Sequence, residues 1–242
     1  MKNCAIVTYT NSSCKDVWPI YFGQLKKHAP NLKSYVISDV NPNIEGVEFL
    51  EYNNSDPYYV QWLNAMKFIN EEYIIYAQED FIVYDDVDFK KLESYIEFLK
   101  ANNYSYVRPI RCGFDSSLVK IENNLYDVNQ KSDDIFQMQI TLWKKQDFVN
   151  VYEWTGSVKW FESPVWREVC RELNIKGAFT YYGEPQRGKY HYDSSVFPYV
   201  CTAVSRGKWN MNEYPKELGH LFSVYNVDPL IRGIRKDYNY GK

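Results

Sequence analysis

Glu79 and Asp80 stand directly after Tyr73-Ile74-Ile75-Tyr76-Ala77-Gln78, a run that is apolar up to its last residue. Carboxylates at the end of a buried strand are costly, because the neighbouring backbone is apolar and desolvated, unless they bind something. Their oxygens suit Mn²⁺ or Mg²⁺, hard cations that share their coordination with a nucleotide diphosphate. The pattern nominates Asp80 and Glu79 as metal ligands, with Gln78 and Glu79 beside the substrate; the plainer alternative is a surface turn carrying two acids. A literal D-x-D, Asp86-Val87-Asp88, lies farther from the strand, and Asp88 already reads as a helix cap. His191, in Lys189-Tyr190-His191-Tyr192-Asp193, is either an extra ligand or a structural histidine.

The elements that must hold these residues alternate. Ala5 to Tyr9 reads as a buried strand, and Trp18, Phe22 and Leu25 recur at helical spacing before Pro30. Strands at 34–38 and 47–50 follow, then Asp56-Pro57 as a cap with proline opening a helix through Trp62, Met66 and Ile69. After the strand at 73–77, Asp88 caps a helix with Leu92, Tyr95, Ile96 and Leu99 on one face, and 104–108 is a further strand. This order predicts an open α/β sheet. Ligands of such sheets bind outside the carboxyl ends of the strands, where Thr8-Tyr9, Ser38-Asp39 and Gln78-Glu79-Asp80 would converge. Thr8, Tyr9, Asp39 and Asn64, the last on the Trp62 helix, are the expected contacts of a base and ribose. In the second half, the alternation from Ile135 to Trp143 predicts a half-buried strand. Ser163-Pro164 predicts a capped helix through Leu173 ended by Asn174 and Gly177, and 179–189 reads as a loop.

The chain has 242 residues, 45% hydrophobic and 24% charged, which predicts a packed core. A net charge of −3 argues against nucleic acid as a partner. Tyr and Trp are abundant, at 23 and 7, and present flat faces with polar handles that suit sugar rings. The five scattered cysteines form no C-x-x-C pair and read as reduced thiols, and no run is long enough to span a bilayer. The expected location is cytoplasmic, with the tail residues Arg232, Arg235 and Lys236 as contacts for an anionic inner membrane surface. A P-loop, an H-E-x-x-H motif and a dinucleotide glycine fingerprint are all missing.

Trp62 with Asn64, followed by Tyr73 to Phe81 with Glu79-Asp80-Phe81 at its end, resembles the GT-A-type glycosyltransferases of bacterial and viral surface-polysaccharide (lipopolysaccharide and capsule) clusters. Gln139-Ile140-Thr141-Leu142-Trp143, Trp160-Phe161-Glu162 and Gly207-Lys208-Trp209 resemble later motifs of that group in the same order. The resemblance implies a GT-A-like, Rossmann-like open mixed sheet flanked by helices, with an acceptor-side α+β extension. One domain, 1–242, would hold a nucleotide-sugar half (about 1–110) and an acceptor half (about 111–242). It implies transfer of a sugar from a nucleoside-diphosphate donor to a glycan or lipid-linked acceptor. Glu162, between Trp160 and Trp166, is then the candidate base that takes the acceptor hydroxyl proton in an inverting attack, or else a glutamate favoured at a helix start. Arg206 and Lys208 are candidates to neutralise the leaving diphosphate, or else a solvated basic turn. Gln78 stands where the first acid of the usual D-x-D would be, which concentrates metal binding on Asp80 and Glu79. A nucleotidyltransferase is the rival enzyme class and would carry a Gly-rich basic loop after the first strand; Thr10-Asn11-Ser12-Ser13 has neither property. A non-catalytic sugar- or nucleotide-binding module is the other rival.

Overall fold

The computed structural model describes residues 1–113, 118–154, 164–187 and 191–235. Its first half runs β1 (Cys4–Tyr9), α1 (Trp18–His28), β2 (Lys33–Ser38), β3 (Val47–Glu51), α2 (Tyr58–Met66), β4 (Tyr73–Gln78), β5 (Ile82–Val83), α3 (Phe89–Ala101) and β6 (Tyr106–Arg108). The second half adds β7 (Lys120–Glu122), β8 (Leu125–Asp127), β9 (Thr141–Lys144), α4 (Lys145–Trp154), α5 (Pro164–Glu172), β10 (Gly177–Thr180) and β11 (Tyr199–Val200). It closes with β12 (Val204–Ser205), β13 (Lys208–Trp209), α6 (Pro215–Val224) and α7 (Pro229–Arg232).

One mixed sheet of nine strands organises the chain, in the order β3-β2-β1-β4-β9-β6-β10-β8-β7. The block β3-β2-β1-β4 is parallel, and β1 and β4 are buried up to their last residue, as strands covered on both faces must be. Its register sets Tyr9 level with Ile37 and Gln78. β9 enters antiparallel between β4 and β6, so the second half of the sequence builds the middle of the sheet.

Side chains alternate across the strands. Thr8 turns to α1 and meets the Tyr21 hydroxyl at 2.7 Å. Tyr9 and Tyr76 turn the other way and stack on Trp62 of α2, at 5.9 and 5.3 Å. Phe148 and Tyr152 of α4 pack on the same indole, and Tyr152 meets Trp166 of α5. Trp62 is fully buried at this junction. Trp62→Ala is expected to cost about 3–5 kcal/mol, read as a lower denaturant midpoint at unchanged slope. A loss below roughly 1 kcal/mol would show that the aromatic junction is not what ties α2 to the sheet.

Several elements differ from the sequence expectation. Pro57 is the residue before α2 rather than its first turn, and the helix ends at Met66. From Phe136 to Ile140 the expected alternation holds as burial, yet ladder pairing starts only at Thr141, after a 3₁₀ turn at Asp133–Ile135. Gly177 opens β10 instead of ending a helix. A β-carbon there would sit 1.9 Å from the Tyr106 ring, so glycine marks a close strand approach. α4 follows β9 without an intervening turn, so no cap or proline predicts it. Ser163 lies outside the described residues. Among the described residues no helix is long and apolar enough to cross a membrane.

Candidate active site

The sheet direction of the chain reverses at β1: β2 and β3 lie on one side of it and β4 on the other. The crevice beyond the carboxyl ends of β1 and β4 is therefore the topological switch point, where open α/β sheets bind ligands. Two short segments furnish it. After β1, Thr10 is locked by its backbone bond to Ile37 and by the Trp18 indole at 2.8 Å. Asn11 then caps a 3₁₀ turn, Ser12–Cys14, that presents Ser12 and Cys14. After β4 come Glu79 and Asp80, both half-buried.

Ser12 donates twice to Asp39, from its backbone N–H and its hydroxyl, each at 2.7 Å, and Asn54 adds a longer bond. Burial pushes the Asp39 carboxyl up, but these hydrogen bonds outweigh it and hold the group below its ordinary value. Asp39 is thus a fixed anion beside the β1 turn. Cys14 and Thr10 favour the charged form of Glu79, yet burial outweighs them and raises its carboxyl above the ordinary value. Asp80 is raised further, first by burial and then by the Glu79 charge, despite a bond from the Val204 backbone. Burial, then Glu79, push the Cys14 thiol up to about 12.

The cation that approaches this pair is Arg232, from the last helix. Its Nε donates to Asp16 at 2.7 Å, its Nη2 completes a fork on the same carboxylate, and Nη2 also reaches the Ser13 carbonyl at 3.0 Å. The guanidinium lies 5.8 Å from the Trp209 ring centre. It lowers the pKa of both Glu79 and Asp80 without forming an ion pair with either. Sequence reasoning read Arg232 as a membrane-facing tail residue. The structure corrects this: its side chain is 10% exposed and turned inward. Asp228-Pro229, a cap followed by proline, was the legible sign that a helix and not a loose tail carries it.

The Glu79 and Asp80 carboxylates are of the kind that would hold a divalent cation. They are hard ligands, no ion pair among the described residues compensates their charges, and the Glu79 charge raises the proton affinity of Asp80. The literal D-x-D is divided instead. Asp88 caps α3 through the Lys91 N–H at 3.0 Å, and Asp86 binds His28 Nδ1 at 2.8 Å. His28, Asp85 and Asp86 do cluster within 4.8 Å, but at the last residue of α1, a helix length away from its start near the β1 turn. His191 lies apart from that cluster, its Nε2 2.7 Å from Glu213 with both side chains buried.

The other expected contacts separate into three groups. Asp39, Gln78, Glu79 and Asp80 gather at the crevice; Gln78 donates to the Tyr76 hydroxyl at 2.9 Å, and its carbonyl oxygen has no partner among the described residues. Thr8 and Tyr9 are in place but spent on the fold. Thr8 is fully buried on Tyr21, and the Tyr9 ring is stacked with Tyr52 while its hydroxyl donates to Gln61. Asn64 is at the wrong end. A crossover helix runs back along its strands, so only its first turn lies at their carboxyl ends. Asn64, in the last turn of α2, accepts from Lys67 and lines a groove of about 450 Å³ with Lys145. Lys145 in turn bonds the Glu72 carbonyl just before β4 begins. Arg206 and Lys208 occupy the exposed tip of the β12–β13 hairpin, whose root is bonded to the acids' turn through the Ala203 N–H and Asp80 carbonyl at 2.9 Å. Glu162 and Lys236 lie outside the described residues.

No family model matches the chain, and no curated protein sequence matches it. Among solved structures, S. aureus TarS superposes with a TM-score of 0.51 at 14% identity, over 93% of this chain and 39% of that one. The fold is GT-A-like. The bifunctional IspDF of Campylobacter jejuni gives 0.47 at 13% identity over 80% and 52%, and the glycosyltransferase GlyE of Streptococcus pneumoniae TIGR4 gives 0.44 at 13% over 70% and 42%. The chain thus spans about half or less of each of these proteins.

Proposed function

We propose that this protein transfers a sugar from a nucleoside-diphosphate donor to a glycan or lipid-linked acceptor in surface-polysaccharide synthesis. The observation that carries the reading is the Glu79–Asp80 pair at the switch point, which has no ion-pair partner among the described residues, with Arg232 beside it. Such a site is built for a ligand that brings both a cation and a diphosphate. A bound divalent cation would neutralise the diphosphate as negative charge develops on it. Asp39, ionised and fixed, suits ribose or base donors, and the Gln78 carbonyl suits a sugar hydroxyl. Arg232 supplies positive charge next to the leaving diphosphate, the role expected of Arg206 and Lys208, which stand in solvent at the neighbouring hairpin. In the reaction the acceptor oxygen bonds the anomeric carbon, the bond to the diphosphate breaks with its electron pair, and the hydroxyl proton passes to a base. Glu162 is assigned as that base from its sequence setting, which makes the transfer inverting.

A screen of UDP-, GDP-, CDP- and dTDP-sugars by thermal shift, with and without Mn²⁺, tests the reading, because a ligand selective for the folded state raises Tm. At least one nucleotide sugar is expected to raise Tm, and more so with Mn²⁺. A shift from nucleoside triphosphates that release pyrophosphate on turnover, with none from nucleotide sugars, would replace it with a nucleotidyltransferase. A nucleotide sugar that binds but is never turned over would leave a binding module.

A further inference from the structure

Leu230 and Ile231 are 75% and 83% exposed, the highest values for any large apolar side chain among the described residues. They are not a frayed end. Arg232 next to them is forked onto Asp16 and bonded to Ser13. The Trp209 N–H donates to the Gly233 carbonyl, and the Arg235 N–H to the Trp209 carbonyl, both at 2.9 Å. Asp228 caps the start of α7 through the Leu230 N–H at 2.9 Å. The fold therefore holds two adjacent aliphatic side chains in water from a clamped strap. The β12–β13 hairpin runs beside that strap: Trp209 bridges to Ile234, and the Lys208 stem comes 3.9 Å from where a β-carbon at Gly233 would be. Arg206 and Lys208 on the hairpin are exposed and have no carboxylate partner among the described residues. The acids of this corner are occupied, Asp16 by Arg232 and Asp228 by its own helix start.

We propose that this corner is a docking surface for an anionic lipid bilayer, with Leu230 and Ile231 entering the interface and Arg206 and Lys208 meeting acidic headgroups. Two aliphatic side chains are far too little for a stable protein interface, which needs roughly 800 Å² on each partner. They are enough for a bilayer, which asks for no shape complementarity and holds a protein when shallow apolar insertion and basic charge act together. The strap is also the one that carries Arg232 to the candidate active site, so docking brings that site to the membrane surface. The inference goes beyond the proposed activity, since docking needs no donor.

Co-sedimentation of the full chain tests it, with vesicles of phosphatidylcholine containing roughly a third phosphatidylglycerol against phosphatidylcholine alone. Binding is expected to the anionic vesicles only, and to weaken with salt. Leu230→Ser with Ile231→Ser should lower partitioning about tenfold while leaving Tm and donor-induced shifts unchanged. Arg206→Gln with Lys208→Gln should lower it and flatten the salt dependence. Absence of wild-type binding, or unaltered binding of the serine variant, would overturn the proposal. Self-association without lipid, abolished by the serine substitutions, would overturn it in favour of a protein contact. Failure of every nucleotide sugar to bind would sink the proposed activity and leave vesicle binding intact.

Discussion

Asp80→Asn is expected to cut sugar transfer on the order of 10²–10⁴-fold while leaving the protein folded, and in cation-free buffer at neutral pH to raise its Tm. The two effects share one cause. Asp80 and Glu79 are held in a poorly solvated turn, where burial raises both carboxyls and the Glu79 charge raises Asp80 further. A carboxyl whose folded pKa lies above its unfolded value adds stability in full only below the unfolded value, about pH 4, and loses it as pH rises through the folded one. The wild type should therefore be penalised at neutral pH relative to the asparagine variant, and the difference should vanish in acid. Mn²⁺ should reverse the order, raising the wild-type Tm and leaving the variant unmoved. Wild-type turnover in Asp80→Asn at saturating Mn²⁺ would reduce the pair to a structural turn. Wild-type activity insensitive to chelator would shift the charge neutralisation to Arg232 alone.

Arg232→Gln should lower both stability and diphosphate affinity, and the two can be separated. The ion pair with Asp16 is part-buried, so its loss is expected to cost about 1–2 kcal/mol, between the values of exposed and buried pairs. Asp16→Asn breaks the same pair from the other side and should cost a similar amount. Only the Arg232 substitution removes the cation next to Glu79 and Asp80. Affinity for the nucleoside diphosphate, measured calorimetrically, should fall about tenfold or more in Arg232→Gln and hold near wild type in Asp16→Asn. Arg232→Lys should fall between, since an ammonium keeps the charge but not the fork. Equal affinities in the Arg232→Gln and Asp16→Asn variants would mean that Arg232 is a clamp for the strap and nothing more.

Local pattern and covalent geometry were enough for much of this protein. The apolar runs at β1 and β4, the Asp88 cap of α3 and the basic last turn of α1 follow from side-chain chemistry within a few residues. With strands parallel and helices crossing back, the carboxyl ends had to converge, and Asp39, Gln78, Glu79 and Asp80 do meet there. What failed locally failed because the deciding contact was distant. Gly177 looks like a helix terminator until the Tyr106 ring arrives against it. Thr8 and Tyr9 look like ligand contacts until Tyr21, Tyr52 and Gln61 use them. Asn64 shares a helix with Trp62, but its position along that helix, and so its end of the sheet, depends on where α2 starts. Arg232 is the clearest case. It lies 216 residues from Asp16 in sequence, and no periodicity links two residues so far apart. Burial alone raised the acids' need for a cation, and only the path of the C-terminal strap across the β12–β13 hairpin decided which arginine would stand beside them.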